Sequence, residues 1–156
     1  MKIKLVCIGK TGKSFLVEGE KEYTKRLSHY VKFEKVEIPD IKNAKSLSKE
    51  QILEKEGELI LDKCSNAEII LLDERGKQFS SVDFSNFLQE KFNYSSKDIA
   101  FVIGGPYGFS NKVYEASSRK ISLSKMTFSH QMIRLFFIEQ IYRSMTILKG
   151  EPYHHE

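Results

Sequence analysis

Three glycines and a proline fall within Gly104-Gly105-Pro106-Tyr107-Gly108, directly after the apolar run over 100–103. A short apolar run stopped by turn residues reads as a buried strand, so this loop opens at a strand's carboxyl end. Glycine tolerates positive φ and lets a ligand approach the main chain without meeting a Cβ, while proline stiffens the loop. In an α/β sheet that is where ligands bind. On these residues alone an ordinary strand-to-helix turn is an equal reading. A second stretch, Gly9-Lys10-Thr11-Gly12-Lys13-Ser14, imitates a phosphate-cradling loop, and Ile69-Ile70-Leu71-Leu72-Asp73-Glu74 imitates the Walker B strand that would accompany it. The spacing rejects that nucleotide-hydrolase reading, because the place of the required first glycine is taken by Cys7. Lys10 and Lys13 are then solvated charges or phosphate contacts.

Charge is concentrated towards the C-terminus. Seven basic residues (Lys112, Arg119, Lys120, Lys125, Arg134, Arg143, Lys149) face two acidic ones (Glu115, Glu139), a local excess of +5 against +4 for the whole chain. Such a surface suits a polyanion such as nucleic acid; a scatter of solvated charges is the alternative. Arg134 and Arg143 sit within an otherwise apolar segment, where an unpaired charge is costly. They need a partner: Glu139 four residues before Arg143, another subunit, or a substrate. The terminal Pro152-Tyr153-His154-His155 places an aromatic ring and two imidazoles where chains usually fray. Metal binding is not expected: His29 is isolated, adjacent imidazoles are not a site, and Cys7 and Cys64 match no zinc spacing. Cys7 reads as a buried reduced thiol. No Gly-x-Ser-x-Gly elbow is present.

These residues require a frame. Strands are expected over 3–8, 33–38, 67–72, 99–103 and 121–123, with the third ending at Asp73-Glu74-Arg75-Gly76. Helices are expected over 15–30, over 49–63 on a face of Ile52, Leu59 and Ile60, over 81–92, briefly over 113–117, and over 129–149. Ser48 and Gln51 have the spacing of a capping box. The alternation, with several strands apolar on both faces, predicts an α/β protein with a mainly parallel sheet flanked by helices. The last helix is apolar on two faces, with Ile133, Phe136, Phe137, Ile141, Met145 and Leu148 on one and Met132, Leu135, Ile138 and Tyr142 on the other. It must be covered nearly all round, by a second copy in a homodimer or by the chain's own helices.

With 156 residues, 40% hydrophobic and 29% charged, the chain is expected to be one globular domain over 1–156. Met1-Lys2-Ile3-Lys4 lacks the apolar core of a secretory signal, and Arg134, Glu139 and Arg143 interrupt the longest apolar segment. Both features point to a cytoplasmic protein that does not span a membrane.

Several motifs recur in one order: Asp73-x-x-Gly76; Ile103-Gly104-Gly105-Pro106-x-Gly108; Ser122-Leu123-Ser124-x-Met126-Thr127-x-Ser129-His130-Gln131-Met132-x-Arg134; Glu139-Gln140-x-Tyr142-Arg143; and Pro152-Tyr153-His154. Together they resemble the ribosomal RNA large subunit methyltransferase H family, a minimal member of the SPOUT class of S-adenosylmethionine enzymes, across essentially the whole chain. The resemblance implies a C-terminal trefoil knot, an exception to unknotted connections. It implies a homodimer through the C-terminal helix, and methylation of N3 of a pseudouridine in the helix 69 loop of 23S rRNA on the assembled ribosome. Carried over by position, Leu72, Gly104, Leu123, Ser124, Lys125, Met126, Thr127 and Phe128 would line the S-adenosylmethionine pocket. Tyr153 and His154 would grip the target base near the other subunit's cofactor, with His154 a candidate base. Arg143, Arg134 and His130 would contact an anion or phosphate, unless His130 caps the last helix and Arg134 pairs structurally. Where the family often has Arg or Lys after the tail Tyr-His, this chain has His155 and then Glu156, which removes a fixed charge. An RNA- or ribosome-binding module with a vestigial cofactor pocket is the alternative function.

Overall fold

The computed structural model describes residues 1–155. Its strands are β1 (Lys2–Ile8), β2 (Lys32–Ile38), β3 (Ala67–Gln78), β4 (Asp98–Ile103) and β5 (Arg119–Ser122). They form a parallel sheet in the order β2-β1-β4-β3-β5. The three inner strands are the ones apolar on both sides. Ile3, Leu5, Phe101 and Ile70 enter one core, while Val6, Val102 and Leu71 enter the other. Burial on both faces is what a parallel sheet covered by helices demands. Helices α1 (Ser14–Leu27), α3 (Ser81–Tyr94) and α5 (Met132–Leu148) cover the first face, with α5 packed between the other two. Helices α2 (Lys49–Lys63) and α4 (Asn111–Ala116) pack together over the second. The capping box is present: Ser48 Oγ accepts from the Gln51 N–H, and the Gln51 side chain returns to the Ser48 N–H.

Three expectations need correction. β3 does not stop at Asp73 but runs on to Gln78. Leu72 and Lys77 both partner Ile121, so the residues between them are accommodated by a register shift. Gly76 sits so close to β5 that a Cβ there would lie 2.6 Å from the Ile121 backbone. What reads as a turn is a bulge. On α2, Leu59 is exposed, and Glu56 and Gly57 are buried with Ile60, because Gly57 abuts Ser110 and Val113 at the start of α4. Helix α5 begins at Met132 rather than residue 129; the preceding turn is closed by the Ile133 N–H on the Ser129 carbonyl.

Candidate active site

The bulge of β3 and the carboxyl ends of β4 and β5 meet at one cavity of about 550 Å³, within the range of small-molecule sites. Each strand contributes the segment that follows its buried part. From β3 come Leu72 and the bulge residues Asp73, Glu74 and Arg75; from β4 come Ile103 and residues 104–109; from β5 come Ser122 and the loop 123–128. Seven of the eight residues expected at a cofactor line it: Leu72, Gly104, Leu123, Ser124, Met126, Thr127 and Phe128. Lys125 is exposed and is not among the lining residues. His130 does line the cavity, and the side-chain cap proposed for it is absent, since Gln131 occupies that position and no side chain caps it.

The glycine loop is shaped by its own packing. Gly108 has φ +83°, its N–H donates to the Gly105 carbonyl at 3.1 Å, and Gly105 and Gly108 form an antiparallel bridge. A Cβ on Gly104 would lie 2.9 Å from the Gly108 carbonyl oxygen and 3.1 Å from the Phe109 ring; one on Gly105 would lie 2.9 Å from the Glu56 carboxylate. Close approach therefore does require glycine, but the approaching atoms belong to the protein. On the facing side, Ser122 Oγ donates to the Ser124 carbonyl at 2.8 Å and the Met126 N–H donates to Ser124 Oγ at 2.9 Å, which ties 122–126 into a compact turn.

A polar group that motif reading passed over stands at the cavity mouth. Tyr114 Oη donates to Asp73 Oδ2 and accepts from Arg75 Nη2, both at 2.8 Å, and the Arg75 N–H donates to Asp73 Oδ1. Burial pushes the Asp73 carboxyl up, but the hydrogen bonds from Arg75 and Tyr114 outweigh it and leave Asp73 below the ordinary carboxylate range. Asp73 was visible in the motif; its partner Tyr114, 41 residues away, was not.

The two arginines of α5 part company. Arg134 is fully buried and donates to the Ile8 carbonyl at 2.6 Å, the Gly9 carbonyl at 2.9 Å and Thr11 Oγ1 at 3.1 Å, with Glu37 at 3.7 Å. Lys35 and Glu20 complete that network around Thr11. Gln131 adds a bond from the Gly12 N–H and one to the Lys10 carbonyl. These contacts bolt the start of α5 to the loop after β1. Arg134 is thus a strut, and the substrate contact expected of it is withdrawn.

Arg143 belongs to a second cluster. It pairs with Glu139, donates to His154 Nδ1 at 3.2 Å, and lies 4.7 Å from the centre of the Tyr153 ring. Tyr153 stacks edge-on against Tyr142 and donates to Glu139 at 2.9 Å. Burial, reinforced by Tyr23 and Glu139, raises the Tyr153 phenol well above its ordinary value, so it stays a donor. Arginine can only donate, so Nδ1 of His154 is the acceptor in that bond. The expected fraying of the tail is not seen. Gly150 closes α5 at φ +67°, Glu151 bonds Tyr30 and the Thr146 carbonyl, and the chain turns back onto the helix. This cluster lies well away from the cavity of its own chain. Ile133 lines the cavity and Arg143 is ten residues on, a rise of roughly 15 Å along a helix.

Beside the cavity loop, on α1 and on the first turns of α5, Phe15, Met126, Phe128, Met132 and Phe136 are exposed, with Phe128 and Phe136 paired at 5.4 Å. Neither cysteine is poised for chemistry, since burial pushes both thiols up to about 11. Among the described residues no group of His, Cys, Asp and Glu is arranged to hold a metal, and no helix is long and apolar enough to cross a membrane.

A family model described as predicted SPOUT methyltransferase matches residues 1–154. Proteins named ribosomal RNA large subunit methyltransferase H are 60% identical in Parabacteroides distasonis, over 100% of both chains, and 61% identical in Flavobacterium psychrophilum, over the same share. Among solved structures, a probable methyltransferase from Bordetella pertussis Tohama I superposes with a TM-score of 0.58 at 9% identity, covering 92% of this chain and 93% of that one. That likeness concerns the fold.

Proposed function

This chain belongs to the SPOUT methyltransferase family, and from that premise we propose that it methylates N3 of a pseudouridine in the helix 69 loop of 23S rRNA on the assembled ribosome. The observation that carries the reading is the cavity, which gathers the β3 bulge and the loops after β4 and β5 around seven residues expected at the cofactor. It suits S-adenosylmethionine chemically. Leu72, Leu123, Phe128 and Ile133 give apolar walls, the loops 104–108 and 122–126 bring main-chain donors and acceptors, and Asp73 and Glu74 bring negative charge for a cation. A sulfonium bound there supplies an activated methyl group and its own leaving group. The protein's share is to hold the acceptor in line and to favour the deprotonated imide.

The grip on that acceptor is assigned to Tyr153, His154 and Arg143. Arg143 is a fixed cation and Tyr153 a persistent donor, so the cluster suits stabilisation of an N3 anion. Its His154 is held in place by Arg143 through Nδ1. His130, at the cavity, contacts the incoming nucleotide.

Cavity and cluster serve one reaction only if brought together, and a homodimer through α5 does this. The exposed Phe15, Met126, Phe128, Met132 and Phe136 supply the apolar surface such an interface needs. A two-fold contact along α5 sets one copy's cluster against the other's cavity. The proposed trefoil knot draws support from the strand order, in which the chain skips past β3 between β4 and β5 by way of α4 on one face of the sheet, with α5 on the other face.

The test is methyl transfer from labelled S-adenosylmethionine to intact ribosomes and to free 23S rRNA, with mass spectrometry locating the product. A methyl group on N3 of the pseudouridine, favoured on ribosomes, is expected. Transfer to another position, or to none, contradicts the reading. A vestigial pocket would instead give no heat on titration with S-adenosylmethionine.

A further inference from the structure

The mouth of the cavity continues into a second groove, because Arg75 and Tyr114 line both. Asn111, Ser118, Arg119 and Lys120 complete it along the sheet edge formed by β5. The Tyr114 ring is held by its bonds to Asp73 and Arg75, and two cations lie beside it: Arg75 at 5.8 Å and Lys120 Nζ at 5.6 Å from its centre. Arg119 reaches the other way, over Phe87 of α3 at 4.9 Å, so the pair straddles the edge. Two of the neighbouring acids are already engaged. Asp73 is held by Arg75 and Tyr114, and Glu68 by Lys91 and Ser118 with a weaker pull from Arg119. Arg119 and Lys120 are both exposed, and neither takes part in an ion pair among the described residues.

We propose that this groove holds the phosphate backbone of the RNA strand flanking the nucleotide to be methylated, with Arg119 and Lys120 on its phosphates. The inference rests on the methyltransferase reading and extends it to a surface that reading leaves unused. A strand that delivers a base to the cavity must cross the adjoining surface, and here that surface presents two exposed cations outside any ion pair among the described residues, hydroxyls and an amide. Such groups position a backbone without reading its sequence. Charge on an edge strand also deters sheet-to-sheet pairing, and that purely structural role makes a different prediction.

The discriminating variant is Arg119→Ala/Lys120→Ala, assayed with intact ribosomes by labelled methyl transfer and by co-sedimentation over a series of salt concentrations. At about 0.15 M salt, the ribosome KM is expected to rise about tenfold with kcat and calorimetric S-adenosylmethionine affinity retained, and the log–log salt slope of binding to shrink by about 1 to 2. Lys120→Arg is expected to keep the wild-type KM. Unchanged KM and salt slope, or aggregation as the sole effect, overturns the proposal. If the wild-type protein transfers no methyl group, the reading of function fails, and co-sedimentation, which needs no turnover, still decides the groove.

Discussion

Arg134 and Arg143 lie nine residues apart on the same helix and have opposite employment. Arg134 has no exposure and directs its bonds at the carbonyls of Ile8 and Gly9 and at Thr11. Arg143 keeps a quarter of its side chain exposed and faces a carboxylate, an imidazole and an aromatic ring brought by the tail. One arginine ties the helix to the scaffold and the other ties the tail to the helix while keeping some exposure. Identical charge on an identical element says nothing of role until its neighbours are known.

That contrast can be broken in several ways. Removing the residues after Gly150 takes away Tyr153 and His154 and is expected to abolish methyl transfer while S-adenosylmethionine still binds, as read by calorimetry. Undiminished turnover would detach the tail from the chemistry. Arg134→Ala strands buried carbonyls and the Glu37 carboxylate and is expected to cost about 3–5 kcal/mol in urea unfolding. Arg143→Ala should leave the unfolding midpoint nearly in place and lower methyl transfer about 100-fold, about 2.7 kcal/mol of barrier. If the two variants exchanged these effects, the division between them would be wrong. Gly76→Ala sets a Cβ against the Ile121 backbone and is expected to cost about 1–3 kcal/mol. It should also weaken S-adenosylmethionine affinity, since β5 leads into the cavity loop.

The smallest effect is on pH dependence. Burial pushes Glu37 up, but the Thr11 N–H, Lys35 and Arg134 together hold it below its ordinary value of 4.5. The folded state therefore binds this proton less readily than the unfolded chain. The stability Glu37 contributes is complete above pH 4.5 and fades as pH falls through the lower folded value. Glu37→Gln should flatten the acid limb of a plot of urea midpoint against pH; an unchanged limb would show that the network does not depend on this charge.

Periodicity and apolar runs located every strand and α-helix, though not the 3-10 turn at Ala44–Ser46, because burial on two faces of a parallel sheet leaves a plain pattern. They failed where tertiary contact overrode local preference. Asp73-Glu74-Arg75-Gly76 has the composition of a turn, and only the closeness of β5 shows that it is a bulge. Leu59 has an apolar side chain on a helix whose buried face is set by Gly57 against α4. Seven cavity-lining residues were reachable through the ordered motifs, which also drew in Lys125, because neighbours in sequence share a loop even when one side chain turns outward. Tyr114 was not reachable, since its value lies in a bond to a residue 41 positions away. For Arg134 the structure chooses between two readings that were open in the sequence.

The central claim is that one active site takes its cavity from one subunit and its gripping cluster from the other. Two inactive proteins test it directly: one with the cavity blocked by Gly104→Trp, and one truncated after Gly150. Co-expressed and purified together as dimers, they should recover about a quarter of wild-type methyl transfer, because each mixed dimer contains one intact composite site. Mixed dimers that form, bind S-adenosylmethionine and transfer no methyl group would contradict it.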